Sequence, residues 1–227
     1  MSITSLFSGG DKSTAMTAVL QMLPLVKRCD LSSNNISHTH AAAMADAIVQ
    51  STTLLELDLS FNELGNYESQ ASNFILNMVG GTLQMGSASQ SVTPLVRAVT
   101  DNCSLTCLNL LGNHLTAADA RSLTRAAEAR PQLVTLCGCQ AGQLELTMTA
   151  RYLQDADGIL LASELGRPGM NASSVTEIDL SGNQLGDEGC LALKAAMAAN
   201  KTVRRLCLLY NRSPSLSIDH TLTPPPR

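Results

Sequence analysis

Ser8-Gly9-Gly10-Asp11-Lys12-Ser13-Thr14 is the stretch best suited to chemistry, because glycines ahead of a lysine and hydroxyl side chains can hold phosphate. The order of residues argues against that use. Asp11 separates Gly10 from Lys12, so the Gly-Lys-Ser/Thr unit that wraps nucleotide phosphates is never formed. Cys137-Gly138-Cys139 is a second candidate, since alternate strand residues share a face and both thiols would point outward, with Cys107 on the neighbouring strand. Their spacing is not that of a zinc site and no histidine completes one, so reduced surface thiols are expected, with no metal and no cofactor. His38, His40 and His114 lack a Ser or Cys nucleophile that the sequence pairs with them. No catalytic residue and no small-molecule substrate is therefore expected.

The elements that would position such groups are thin and repeated. The chain has 227 residues, 44% hydrophobic, with only 3% aromatic residues and no Trp, which suits stacked layers of Leu and Ala better than one thick core. A net charge of −4 supplies no basic field for nucleic acid. No apolar run reaches the length of a membrane span and no signal peptide is legible, so a cytoplasmic location away from membranes is expected. Seven Cys without a framework spacing fit reduced thiols there. Five Asn-x-Ser/Thr sequons, at Asn35, Asn102, Asn171, Asn200 and Asn211, are read as chance matches.

One pattern recurs along the chain. Leu54-x-x-Leu57-x-Leu59-x-x-Asn62-x-Leu64 is matched by the copies ending at Asn34-x-Ile36, Asn113-x-Leu115, Asn183-x-Leu185 and Asn211. Asn34 and Asn62 lie 28 residues apart, as do Asn183 and Asn211. Between copies run helical pairs four apart, such as Met44 and Ile48, Leu95 and Val99, Leu123 and Ala127, or Leu193 and Met197. Leu133 to Ala141 is a weaker copy without the third Leu or the Asn, followed through a short turn by Leu146-x-Met148-x-x-Arg151-x-Leu153. Asn62 and Asn113 are 51 residues apart, which places an insertion at about 66–90.

The pattern resembles the leucine-rich repeat family, in its long-repeat, ribonuclease-inhibitor-like class, over roughly residues 3 to 211. That resemblance implies an α/β, right-handed curved solenoid, a horseshoe segment with a concave parallel sheet and convex helices. Residues 1–211 form the solenoid on this reading, and 212–227 a disordered Pro-rich tail. Ser8 to Thr14 also resembles the phosphate loop of the ATP-pyrophosphatase family, but Lys12 stands where that loop needs Asp. Ile3-x-x-Leu6-x-Ser8-x-x-Asp11 fits the strand template instead, with Met16 and Leu20 inward on the helix that follows.

In this template the Leu positions face inward and the intervening residues outward. Asn34, Asn62, Asn113, Asn183 and Asn211 are expected to form a structural ladder, because a buried amide can satisfy backbone groups where the chain leaves the strand. The outward columns hold Glu56, Asp58, Asn109, Glu145, Glu177 and Asp179, while Phe61, Leu111 and Tyr210 follow their strands. These nine residues are the expected contacts of a protein partner on the concave face. A non-enzymatic interaction module or scaffold is the reading. Its alternatives are a regulator of a small GTPase, resembling the Ran GTPase-activating proteins of the same repeat class, or the repeat segment of a larger sensor.

Overall fold

The computed structural model describes residues 12–65, 92–213 and 219–221. The strand copy at Ile3 to Asp11, the insertion at 66–90 and the tail beyond Ser213, apart from 219–221, lie outside the described residues.

Helix and strand alternate. The helices are α1 (Lys12–Met22), α2 (Ala41–Gln50), α3 (Thr93–Asp101), α4 (Ala117–Glu128), α5 (Asp155–Leu165) and α6 (Asp187–Ala199). The strands are β1 (Arg28–Asp30), β2 (Glu56–Asp58), β3 (Cys107–Asn109), β4 (Glu145–Thr147), β5 (Glu177–Asp179), β6 (Arg205–Cys207) and β7 (Asp219–Thr221). Parallel ladders join β1-β2-β3 in one sheet and β4-β5-β6 in a second, to which β7 adds antiparallel. The architecture is an α/β repeat solenoid.

Strands of three residues suffice because each needs to bury little more than its central side chain. Cys29, Leu57, Leu108, Leu146, Ile178 and Leu206 all point into the core, and their strand neighbours do not, except Cys207 on β6, which is buried too. Within one repeat Leu54, Leu57, Leu59 and Leu64 are all buried, each worth about 1.5 to 3 kcal/mol of transfer free energy. Inward helical pairs complete the layer: Met44 with Ile48, Leu95 with Val99, Leu123 with Ala127, and Leu161 with Leu165. The first and last helices are rotated slightly from the i, i+4 expectation. Val19 and Leu23 join Met16 while Leu20 is half-buried, and Ala196 rather than Met197 follows Leu193. No helix among the described residues is long and apolar enough to cross a membrane.

The sheet is interrupted, but the row of helices from α1 to α6 is not. After β3 the weak copy contributes only isolated bridges, Cys107 to Thr135 and Asn109 to Cys137. Gly138 then takes φ +71°, and the Gln143 N–H donates to the Gln140 carbonyl at 3.1 Å, turning the chain before β4. The buried carboxylate of Glu164 on α5 fills the resulting gap. It accepts from the N–H groups of Leu136 and, at 2.8 Å, Cys137, and from the Thr135 hydroxyl at 3.0 Å. Burial pushes the Glu164 carboxyl up, against those hydrogen bonds.

Two expectations change here. Cys137 and Cys139 are buried, not surface thiols, because the chain leaves strand geometry at Gly138 and the alternation of faces stops. Burial and the nearby Glu164 charge push both thiols up. In the tail expected to be disordered, Asp219–Thr221 is a strand, since the outer edge of β6 offers backbone groups for it to pair with.

Candidate functional site

The first sheet aligns Arg28, Glu56 and Cys107 in one row and Asp30, Asp58 and Asn109 in the next. Arg28 pairs with Glu56 at 3.0 Å, and the Asn109 amide donates to Asp58 Oδ2 at 3.0 Å. The carboxylates of the second row also serve their own turns. Asp58 Oδ1 accepts from the Ser60 N–H at 2.8 Å and the Ser60 hydroxyl at 2.6 Å; Asp30 and Ser32 repeat this at 3.0 and 2.7 Å. Asp-Leu-Ser, present at 30–32, 58–60 and 179–181, is thus a local hydrogen-bonded unit as well as a source of surface charge.

A groove of about 300 Å³ runs along this face, lined by Arg28, Asp30, Glu56, Asp58, Asn109 and Gln140. Gly138 forms part of its wall; a Cβ there would come within 2.7 Å of the Asn109 amide nitrogen. Cys107 is half-buried in the same groove, and burial pushes its thiol up. No group of three metal-ligating side chains occurs among the described residues.

Glu145, Glu177 and Arg205 align on the second sheet, as do Thr147, Asp179 and Cys207. Glu145 and Glu177 are exposed. Slight burial raises the Asp179 carboxyl, but hydrogen bonds from Ser181 and the Cys207 thiol and the Arg205 charge outweigh it and hold the group low. Cys207 itself is buried. So is Leu111, whose carbonyl accepts from the Phe61 N–H at 2.8 Å; it offers no surface to a partner.

The residues after the strands form a third feature. Ser33, Phe61, Gly112, Ala150, Gly182 and Tyr210 occupy equivalent turn positions, and every one has a positive φ between 53° and 70°. Turn hydrogen-bonds to turn, from Phe61 N–H to Leu111 and from Gly182 N–H to the Leu209 carbonyl at 2.9 Å. Beneath them lie the amides of Asn62, Asn113, Asn183 and Asn211. Asn62 donates to the Leu31 and Leu59 carbonyls, both at 2.9 Å, and accepts from Asn34 and Ile36 N–H at 2.9 and 3.0 Å. Asn183 does the same for Met148, Leu180, Arg151 and Leu153. Asn34 donates to the Ser32 carbonyl at 2.9 Å.

A family model described as Leucine Rich repeat matches residues 50–66, 101–123 and 171–194. These three segments are similar to leucine-rich repeats. No curated protein matches it. Each matched segment contains a helix-to-strand junction or a turn row of the solenoid just described, so the leucine-rich repeat signal falls on the parts that set its register.

Within these leucine-rich repeats, the aromatic side chains concentrate. Phe61, Tyr152 and Tyr210 are the aromatic residues among those described, and each has a positive φ after its strand. Phe61 is half-buried, Tyr152 and Tyr210 are 73% and 82% exposed. Phe61 lies over Gly112, where a Cβ would approach its ring to 2.5 Å, and the Arg151 guanidinium stands 5.7 Å from the ring centroid. Phe61 and Arg151 line, together with Asp157, an open cavity of about 270 Å³. Asp157 accepts from Gly112 N–H and Gln154 N–H, both at 2.7 Å. Burial, partly offset by those bonds, raises its carboxyl to about 6.

Sequence reasoning missed a second ladder at the helix exits. Ser51, Asn102 and Asn200 each stand three residues before a buried strand-leading residue, Leu54, Leu105 or Val203, and accept that residue's N–H at 3.0, 2.6 and 2.8 Å. The signal is a shared place in the repeat, eleven residues before the turn asparagines Asn62, Asn113 and Asn211, held by polar residues rather than Leu. Glu164 was also missed, because its partners are brought to it only by the broken copy.

Proposed function

We propose that the chain is a non-enzymatic protein-interaction module of the long-repeat, ribonuclease-inhibitor-like class, acting in the cytoplasm, where its thiols suit a reducing environment. Its partner docks on the strand face, the concave side of the curved sheet. The contacts are Glu56, Asp58 and Asn109 in the groove, Glu145, Glu177 and Asp179 beyond it, and Phe61 and Tyr210 on the turns.

One observation carries this reading: exposed aromatic side chains are kept on strained backbone. At the position of Phe61 and Tyr210, Gly112 and Gly182 adopt the left-handed conformation without strain. Tyr210 buries too little surface to offset that strain by packing. Strain held at an exposed aromatic residue points to binding, where Tyr and Phe act as rigid anchors. Leucine-rich repeats are commonly interaction modules, which agrees with this use of the turns.

The test compares partners captured by the wild-type chain with those captured by Tyr210→Ala and Glu56→Lys, identified by mass spectrometry. A partner whose affinity falls at least about fivefold with Tyr210→Ala, at unchanged urea midpoint, supports the site. Glu56→Lys should chiefly slow its association. Partners indifferent to both changes would move the site elsewhere.

A further inference from the structure

The side of β6 away from β5 is occupied differently from every other strand edge described. Each parallel neighbour arrives through a helix, whereas β7 follows β6 after only the residues 208–218 and pairs antiparallel. A parallel neighbour needs a crossover of a dozen or more residues, and an antiparallel one does not. The register sets Thr221 opposite Arg205, His220 opposite Leu206 and Asp219 opposite Cys207.

The attachment is slight. β1 to β6 each send a buried residue into the continuous core, so none can leave without opening a layer. β7 packs on β6 and makes no comparable contact with any helix. Its release breaks one three-residue ladder, the kind of local opening that needs far less free energy than global unfolding. Pro224, Pro225 and Pro226 follow closely and have no N–H to extend the pairing.

Charge distinguishes the peptides that suit this edge. Lys201, Arg204, Arg205 and Arg212 are exposed on the repeat that carries β6. Arg212 donates to Gln184 Oε1 at 2.8 Å, and Arg205 lies opposite Glu177 on β5 and acts on Asp179, while Asp187 accepts from the Ser213 hydroxyl at 2.5 Å and Glu188 pairs with Arg121 at 2.9 Å, so Lys201, Arg204, Arg205 and Arg212 leave the repeat net basic toward its outer side. The strand seen here brings Asp219 to the edge. A second copy pairing β6 to β6 would instead set Arg204 and Arg205 against the same cations.

We infer that the outer edge of β6 is a docking site for an extended acidic peptide, held in cis by Asp219–Thr221 as a removable strand. Recognition there is main-chain hydrogen bonding with charge selection. The surface is separate from the strand-face groove and the turns, so it stands or falls independently of the function proposed above.

The experiment uses the full chain with His220→Pro, which removes an N–H from the middle of β7 and frees the edge. The probes are fluorescein-labelled peptides of residues 216–223, LSIDHTLT, in the native form, with Thr221→Glu opposite Arg205, and with Asp219→Lys. The native peptide should bind the variant at least about tenfold more tightly than the wild-type chain. Among the peptides, Thr221→Glu should bind best and Asp219→Lys worst. Hydrogen exchange at the Leu206 N–H, the β6 amide on the side of β7, should quicken in the variant and slow again with millimolar peptide, while that of Arg205, which donates to the Thr176 carbonyl of the inner side, stays unchanged. Equal binding to both chains, or no renewed protection at millimolar peptide, would overturn the proposal. Unchanged exchange in the variant would overturn the cis strand. Concentration-dependent dimerisation of the variant would assign the edge to a second copy and overturn the peptide.

Discussion

The guanidinium of Arg151 stands 5.7 Å from the centre of the Phe61 ring, linking the turn after β4 to the turn after β2 across the break between the sheets. The weak copy supplies no turn of the regular kind between them, so side chains bridge a gap that backbone bonds span elsewhere. A cation over an aromatic face at a largely exposed site contributes about 0.5 to 1 kcal/mol. Arg151→Ala should lower stability by that amount, and a double-mutant cycle with Phe61→Leu in urea should return most of it as coupling. Strictly additive losses would show that the two side chains do not act together.

Backbone strain at the turn position can be measured free of packing at Gly182. A Cβ there meets its nearest neighbour, in Ala150, at 3.6 Å, an ordinary contact, while φ is +70°. Gly182→Ala should therefore destabilise by about 1 kcal/mol. Tyr210→Gly, the reverse change at the equivalent exposed position, should leave stability equal or higher despite the loss of a large side chain. A marked loss in the urea midpoint for Tyr210→Gly would mean that Tyr210 packs in a way its exposure hides.

Replacing Asn62 with Leu should be severe. Four buried backbone groups lose their partner at once, those of Leu31, Leu59, Asn34 and Ile36. Each unsatisfied buried group costs about 1 to 3 kcal/mol, and relaxation or entering water reduces the sum. A loss of about 3 kcal/mol or more is expected by urea denaturation. A change below about 1 kcal/mol would remove Asn62 from the load of the turn.

Asp157 supplies a pH dependence with a definite sign. Its carboxyl sits at about 6 in the folded chain, above the value of about 3.9 for an unfolded Asp. Between those values the folded state keeps a proton that the unfolded state has lost. The group's contribution is therefore whole below about pH 4 and is lost as pH rises through about 6. The gap corresponds to at most about 3 kcal/mol. Asp157→Asn removes the titration, so wild-type stability should fall relative to this variant between pH 4 and pH 7. A constant difference across that range would show an ordinary carboxyl.

The repeat itself was legible in the sequence, because burial in a solenoid is periodic. A residue such as Leu57 meets its equivalents Cys29 and Leu108 in the adjacent layers, so spacing alone places it inward and sets the strand register. Asp58 was legible as an outward residue by the same alternation, but its bonds to Ser60 and Asn109 were not, since they depend on how the turn closes.

Tertiary structure decided what happens where the period fails. At Gly138 the chain turns out of strand geometry, and with only isolated bridges to β3 to hold it, Cys137 and Cys139 go inward and Glu164 comes from α5 to meet the N–H groups of Leu136 and Cys137. Leu111 is buried and Phe61 half-exposed although both follow their strands closely, because a positive φ at Phe61 redirects its side chain toward Gly112 and Arg151. β7 likewise depends on an edge that exists only once β6 is in place. The physical reason is common to all three. Composition and periodicity report the average environment of a layer, whereas a broken strand, a left-handed turn or an open edge is satisfied by whichever groups the completed fold brings within hydrogen-bonding or van der Waals reach.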